Sequence, residues 1–382
     1  MKTANRLASV QEYYFSRKLR EVRGLLAAGK PIINMGIGSP DLAPDPAVTQ
    51  AMIAATAAEK AHQYQSYQGV PELREAMATF YQQQFGVSVH PEDEVLPLMG
   101  SKEGIMHVSM AFLNPGDGVL IPDPGYPTYA SVSHLVSARL IPYRLRSENG
   151  WLPNIQELEA QDLSGVKLMW LSYPHMPTGA VASLAALTDL VAFAKKHDIL
   201  LVNDNPYSFI LNEKPVSILS VAGAAGHVLE LNSLSKTFNM AGWRVGMLLG
   251  AAPLIHAVLK VKSNMDSGMF YPVQMGAVAA LASGPSWFQS LHTVYEKRRA
   301  LVYELAGLLN CTYDPKAVGL FVWAALPDGA PDAEEFIDKL LYEKDIFITP
   351  GTIFGAGGTG YVRFSLCVSE DQIQKAIDRI KA

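Results

Sequence analysis

Between about residue 94 and residue 249 the chain repeats one pattern: a short apolar run, a polar or glycine-rich turn, then residues at helical spacing. This alternation restricts the fold, because strands separated by helices pair in parallel and continuous apolar strands must be covered on both faces. Gly118 to Ile121, Arg139 to Tyr143, Val166 to Ser172, Ile199 to Asn203, Val228 to Asn232 and Arg244 to Leu249 read as strands. Another strand gives way to a helix near Met99. Ser183 to Lys196 is a helix with Ser183 as its N-cap and two lysines at its C-terminal end. The expected fold is α/β, a mainly parallel sheet sandwiched by helices.

After Gly284 and Pro285 the pattern changes to a long helical stretch, Ser290 to Leu309. Gly319 to Leu326 and Tyr361 to Cys367 then read as strands, and Glu370 to Ile380 as a closing helix. A chain of 382 residues with 49% apolar content exceeds one simple core and can fill two. We therefore expect a large domain over 44–284. Residues 1–43 and 285–382 form a second, smaller α+β domain that closes over the functional site. The opening residues join it because they hold no complete strand-helix unit.

The net charge of −5 gives no electrostatic footprint for nucleic acid or an anionic membrane, which leaves small molecules as the expected partners. Cys311 and Cys367 are the only cysteines and lack the paired spacing of a zinc site, so no metal is expected. Two lone thiols suit a reducing compartment. The N-terminus has no apolar core like that of a secretory signal, and no apolar stretch reaches the roughly 18 residues of a membrane span. A soluble cytoplasmic protein is expected.

In NSLSKTFNMAGWRVG, Lys236 follows Ser233 and Ser235 and precedes Arg244. Such a lysine can form an imine with a carbonyl cofactor while its neighbours hold a phosphate, which points to pyridoxal 5'-phosphate. Asp204 ends the strand before Asn205 and Pro206, where a buried carboxylate can keep a pyridine nitrogen protonated, and Tyr207 can reach a ring hydroxyl. Ser101 and Lys102 open a helix whose free amides can bind phosphate oxygens. Tyr126, in a proline-rich turn, can stack on a flat ring, and Arg363 can bind a carboxylate through two parallel bonds. Each segment also reads as a solvated loop, a turn, an N-cap or a structural salt bridge. The residues alone leave both readings open.

Together the segments NMGIGSPD, YQSYQGVPELREA, MGSKEG, PDPGYPTY, SYPHMPTG, NDNPY, SLSKTFNMAGWRVG and VRFS resemble the class I and II aminotransferases, fold type I enzymes that use pyridoxal phosphate. The resemblance runs from about Gly36 to Arg363, in family order. It implies that Lys236 holds the cofactor as an internal aldimine and shuttles the proton. Asp204 pairs with the pyridine nitrogen and Tyr207 with the ring hydroxyl. Ser101, the Lys102 amide, Ser233 and Arg244 hold the phosphate, and Tyr126 stacks on the ring. Tyr64 reaches the phosphate of a neighbouring subunit, which implies a homodimer with shared active sites. Arg363 binds the substrate carboxylate and the Gly38 backbone touches substrate.

One position departs from the pattern. Met176 stands where the family carries an asparagine that hydrogen-bonds the ring hydroxyl, and a thioether cannot donate such a bond. The implied reaction moves an amino group from an L-amino acid to a 2-oxo acid. Beta-elimination or decarboxylation on the same fold is the alternative, and a non-catalytic cofactor-sensing module is a remoter one. Lys262 is a candidate second positive group for a dicarboxylic side chain.

Overall fold

The computed structural model describes residues 1–7 and 14–382. Its strands are β1 (Ile33–Asn34), β2 (Val95–Leu98), β3 (Gly118–Asp123), β4 (Arg139–Arg144), β5 (Val166–Leu171), β6 (Leu200–Asp204) and β7 (Val228–Ser233). They continue as β8 (Gly246–Gly250), β9 (Thr312–Tyr313), β10 (Phe321–Ala325), β11 (Ile346–Phe347), β12 (Thr349–Pro350) and β13 (Tyr361–Ser365). A seven-stranded sheet has the order β2-β8-β7-β6-β5-β3-β4. Its pairs from β4 through β7 are parallel, and only β8 runs against its neighbours. The mainly parallel sheet expected from the alternation is therefore present. Both edge strands carry a proline, Pro97 and Pro142, at the places where a missing N–H costs the ladder least.

The strand side chains alternate between two buried layers, as a period of two requires. Leu168, Trp170, Leu200, Val202, Leu229 and Leu231 face one layer with Ile105, Val108, Val132 and Val258, from the helices Ser101–Phe112, Pro127–Leu135 and Ala252–Lys262. Met169, Leu171, Leu201 and Val228 face the opposite layer with Leu187, Leu190 and Val191 of the helix Leu184–Lys196. The sheet is thus covered on both faces, and its parallel strands release the chain at one edge.

Several expected boundaries shift, most by one or two residues, and two shifts have a plain physical cause. The last large-sheet strand starts at Gly246, because Arg244 adopts a left-handed conformation (φ 59°) after the turn Ala241–Trp243. The long helix starts at Pro285, five residues before the expected Ser290, since proline fits a first turn whose amides need no partner. The remaining strands form an antiparallel sheet, β12-β13-β10-β9, and a parallel pair, β1 with β11. Between β1 and the helix Pro46–Thr56 runs an irregular strap, residues 35–45, tied to both bodies of structure. Met35 and Ser365 bond through their backbones, while Asn239 Nδ2 donates to Ala43 O and Arg298 grips Asp41 with two bonds. No helix among the described residues is long and apolar enough to cross a membrane.

Candidate active site

The parallel strand ends open onto a cavity of about 550 Å³. This is where open α/β sheets place ligands. Ser101, Lys102, Tyr126, Asp204, Tyr207, Ser233, Lys236, Arg244, Arg363 and Gly38 all line it. Of the site residues expected from the sequence, Tyr64 and Lys262 lie elsewhere; Tyr64 is 90% exposed on the surface.

Asp204 ends β6, buried, with one oxygen partnered and one free. Its Oδ2 accepts a bond from Tyr129 Oη at 3.0 Å, and Tyr129 is held by stacking on Trp170 at 5.1 Å between centroids. Its Oδ1 is buried without a hydrogen-bond partner, an expensive arrangement unless a donor on a ligand meets it. Burial pushes the carboxyl up to about 7, with the Tyr129 bond opposing, the buried Glu230 adding to the rise and Lys236 opposing. The folded protein without a ligand therefore binds more protons here than the unfolded chain between about pH 4 and pH 7. Stability from this group is full below about pH 4 and is lost as the pH rises towards 7, by on the order of 4 kcal/mol. Melting curves of the cofactor-free protein across that range should show the loss, and Asp204→Asn should flatten it. An unchanged slope in the variant would contradict the assignment.

Behind Asp204, on the other face of the sheet, Glu230 is fully buried in β7. Tyr81 Oη and Ser217 Oγ donate to its Oε1 at 2.9 and 2.8 Å, and Asn203 Nδ2 and the Ile218 amide donate to its Oε2 at 3.1 and 3.0 Å. Other bonds fix the direction of these donors. Asn203 Oδ1 already accepts from the Tyr173 amide, Tyr81 Oη accepts from Asn232 Nδ2, and Ser217 Oγ accepts from the Leu219 amide. Four donors thus face one carboxyl and oppose the rise in pKa that burial imposes on it.

Lys236 sits in the short helix Leu234–Thr237, directly after β7. Its Nζ donates to Gly38 O at 2.7 Å, and burial pulls its ammonium below the ordinary lysine range, the direction a base requires. Gly38 must be glycine, because a Cβ there would collide with the Phe321 ring. Beside the lysine, Ser233 caps its helix by accepting from the Ser235 amide. Arg244 lies against Gly100, where any Cβ would collide with its guanidinium; Gly100 has φ 89° and no side chain caps the helix it opens. Serine hydroxyls, an uncapped helix start and an arginine therefore converge as a dianion would need. This convergence and the free Asp204 oxygen fit a pyridine phosphate.

Arg363 in β13 is 6% exposed and has no carboxylate partner among the described residues, so the structural salt bridge left open by the sequence is not seen among them. Its guanidinium bonds Gly36 O at 3.0 Å and Met176 Sδ at 3.6 Å and lies 3.9 Å from the Phe321 ring centre; Nε has no partner. Burial lowers its pKa to about 10, so it stays charged at neutral pH. Tyr207 packs edge-on to Phe321, and Met176 is buried in the cavity wall. Nearby His175 is driven down to about 3 by burial and is neutral.

Sequence reading assigned no separate role to Tyr129, Gly100, Phe321 or Glu230, and Ser235 entered only as a hydroxyl neighbour of Lys236. The second tyrosine of PDPGYPTY was the available signal for Tyr129. Lys262 does not line the cavity. It is 1% exposed, donates to Tyr67 O at 2.9 Å and lies 2.8 Å from Asp266 Oδ2.

Residues 30–380 match the family described as Aminotransferase class I and II. An LL-diaminopimelate aminotransferase of Dehalococcoides mccartyi is 39% identical over all of this chain and 98% of its own length. One from Gloeobacter violaceus is 40% identical with the same coverage of both chains. Substrate-bound BacF from Bacillus subtilis superposes with a TM-score of 0.95 at 34% identity, covering 100% of this chain and 97% of its own. With its fold, its cavity and these likenesses, the chain belongs to the class I and II aminotransferases and is a pyridoxal 5'-phosphate-dependent transferase of amino groups.

Proposed function

We propose that Lys236 is the base of the reaction and Arg363 the carboxylate anchor, in an exchange between an L-amino acid and a 2-oxo acid. The observation that carries this is one cavity holding an amine weakened by burial and, among the described residues, an arginine without an internal counter-ion and a buried carboxylate oxygen without a donor. Asp204 would accept from the ring nitrogen and Tyr207 would donate to the ring hydroxyl oxygen. Ser101, the Lys102 amide, Ser233 and Arg244 would hold the phosphate, with Tyr126 against the ring. When bound, pyridoxal 5'-phosphate supplies a carbonyl that condenses with amines and a protonated ring that accepts electrons. Lys236 takes the proton from the substrate's α-carbon and later returns it to the reacting group. Arg363 holds the α-carboxylate of both substrates, so amine and acid occupy one geometry in each direction. Met176 leaves the ring hydroxyl with one donor instead of two.

Several exposed apolar side chains support a homodimer. Tyr64, Tyr67, Met265 and Phe270 are exposed, and Gly268 packs on the backbone of Gln65 and Ser66, so their two segments lie side by side. A second copy would cover them and bring its Tyr64 to the phosphate site. Sedimentation at twice the chain mass of 41.5 kDa is the check. We also place residues 1–43 and 285–382 in a small domain that closes on the cavity. The buried free thiols Cys311 and Cys367 support a cytoplasmic location.

Single-turnover assays test the reaction. The loaded protein, mixed with an amino acid and no acceptor, should release about one equivalent of the matching 2-oxo acid and keep the nitrogen. Continuous release of ammonia without an acceptor would instead identify a lyase. LL-diaminopimelate, the substrate in the relatives' names, enters as one of the donors.

A further inference from the structure

We propose that the substrate's side chain rests in an apolar subsite formed by Phe15, Tyr126, Ile353 and Phe354, so that the preferred amino acids carry an aromatic or bulky apolar group and no distal charge. This rests on the amino-transfer roles given above.

Among the described residues, the charged side chains lining the cavity are Lys102, Asp204, Lys236, Arg244 and Arg363. Each has a task. Asp204 faces the ring nitrogen, Lys236 the reacting amine, and Arg363 the α-carboxylate. Arg244 and Lys102 lie at the start of the helix Ser101–Phe112, on the phosphate side. An amino acid gripped at Lys236 and Arg363 must lay its side chain against the wall that remains.

That wall is aromatic and aliphatic. Phe15 stacks on Phe347, with ring centres 6.3 Å apart at 22°. Phe354 is 5% exposed, packs edge-on to Trp323 at 5.7 Å and lies 4.8 Å from the Arg363 guanidinium. Ile353 and Tyr126 are half-buried beside them, and Ser16 adds one hydroxyl. Among the described residues, no side chain on this wall offers an ion partner for a second carboxylate or ammonium. Lys262 cannot supply one, being committed to Tyr67 O and Asp266.

A distal charge in such a subsite loses its water without gaining a partner, whereas an aromatic ring gains contact over its whole surface. LL-diaminopimelate carries a distal ammonium and a distal carboxylate, and both would face rings.

The test uses the protein loaded with pyridoxal 5'-phosphate. The specificity constant for 2-oxo acid release from L-phenylalanine should exceed that from LL-diaminopimelate by about 100-fold, since each distal charge would be stripped of water without gaining a partner. A ratio below about tenfold overturns the proposal. Calorimetric binding of two unreactive acids gives a second readout: 3-phenylpropionate should bind about tenfold more tightly than glutarate. Equal or weaker binding of 3-phenylpropionate overturns the subsite. In a folded Ile353→Arg variant that preference should shift towards glutarate by about tenfold, and an unmoved ratio overturns the placement. If no amino acid, alanine included, yields a 2-oxo acid, the amino-transfer roles fail, and the two acids still decide the character of the subsite.

Discussion

Lys236→Ala is expected to slow 2-oxo acid release in a single turnover by at least about ten-thousand-fold, because it removes both the covalent amine and the proton carrier. The fold should survive. Within the chain, the ammonium makes one hydrogen bond, to Gly38 O, and losing it costs on the order of 1 kcal/mol. Lys236→Arg separates charge from basicity. A guanidinium can keep a donor near Gly38 O, yet it cannot give up its proton near neutral pH, so this variant should be as inactive as the alanine one. Melting temperatures within a few degrees of the parent, with activity lost in both, would support the assignment. Residual activity above roughly 1% in either variant would remove Lys236 from its role.

The second large effect lies at Glu230, away from the substrate. Glu230→Ala should destabilise the protein by about 5 kcal/mol, because the donors of Tyr81, Ser217, Asn203 and Ile218 lose their acceptor inside a sealed layer. For a chain of this length that corresponds to a drop in Tm of roughly 6 °C. Glu230→Gln keeps the shape but turns an NH2 group towards two of those donors, so it should recover only part of the loss. Urea titration of the three proteins checks the order. A glutamine variant as stable as the parent would mean that the carboxyl already carries a proton, contrary to the donor geometry.

The large sheet was legible because its strands are apolar throughout and each is followed by a turn, a pattern that needs no long-range information. Asp204 and Lys236 were legible for a related reason, since each stands at the end of such a run. Arg363 needed the register of β13, which sets it opposite Trp323 on β10 and Thr349 on β12 and so brings it to the Gly36 carbonyl. The partner that positions Asp204 was hidden, because Tyr129 lies 75 residues earlier and only folding brings them together. Glu230 was hidden in another way. In HVLELN it reads as one polar residue in an apolar strand, and its four donors come from distant parts of the chain. Lys262 misled because length and charge say nothing about burial. Its stem runs inward and its ammonium ends on Tyr67 O.

The strap at residues 36–38 sets a distance. Arg363 Nη2 and Thr349 Oγ1 both donate to Gly36 O, Ser365 Oγ donates to Ile37 O, and Lys236 Nζ donates to Gly38 O. The group that would grip a substrate's carboxylate and the group that would attack beside its nitrogen are therefore tied to carbonyls two peptide units apart. Two trans peptides span at most about 7 Å between α-carbons, and bond lengths fix that span more firmly than side-chain packing can. With the roles proposed for Arg363 and Lys236, the strap would act as a covalent gauge for the common core of every amino acid. Side chains can then vary beyond the gauge without disturbing the spacing of carboxylate, α-carbon and amine.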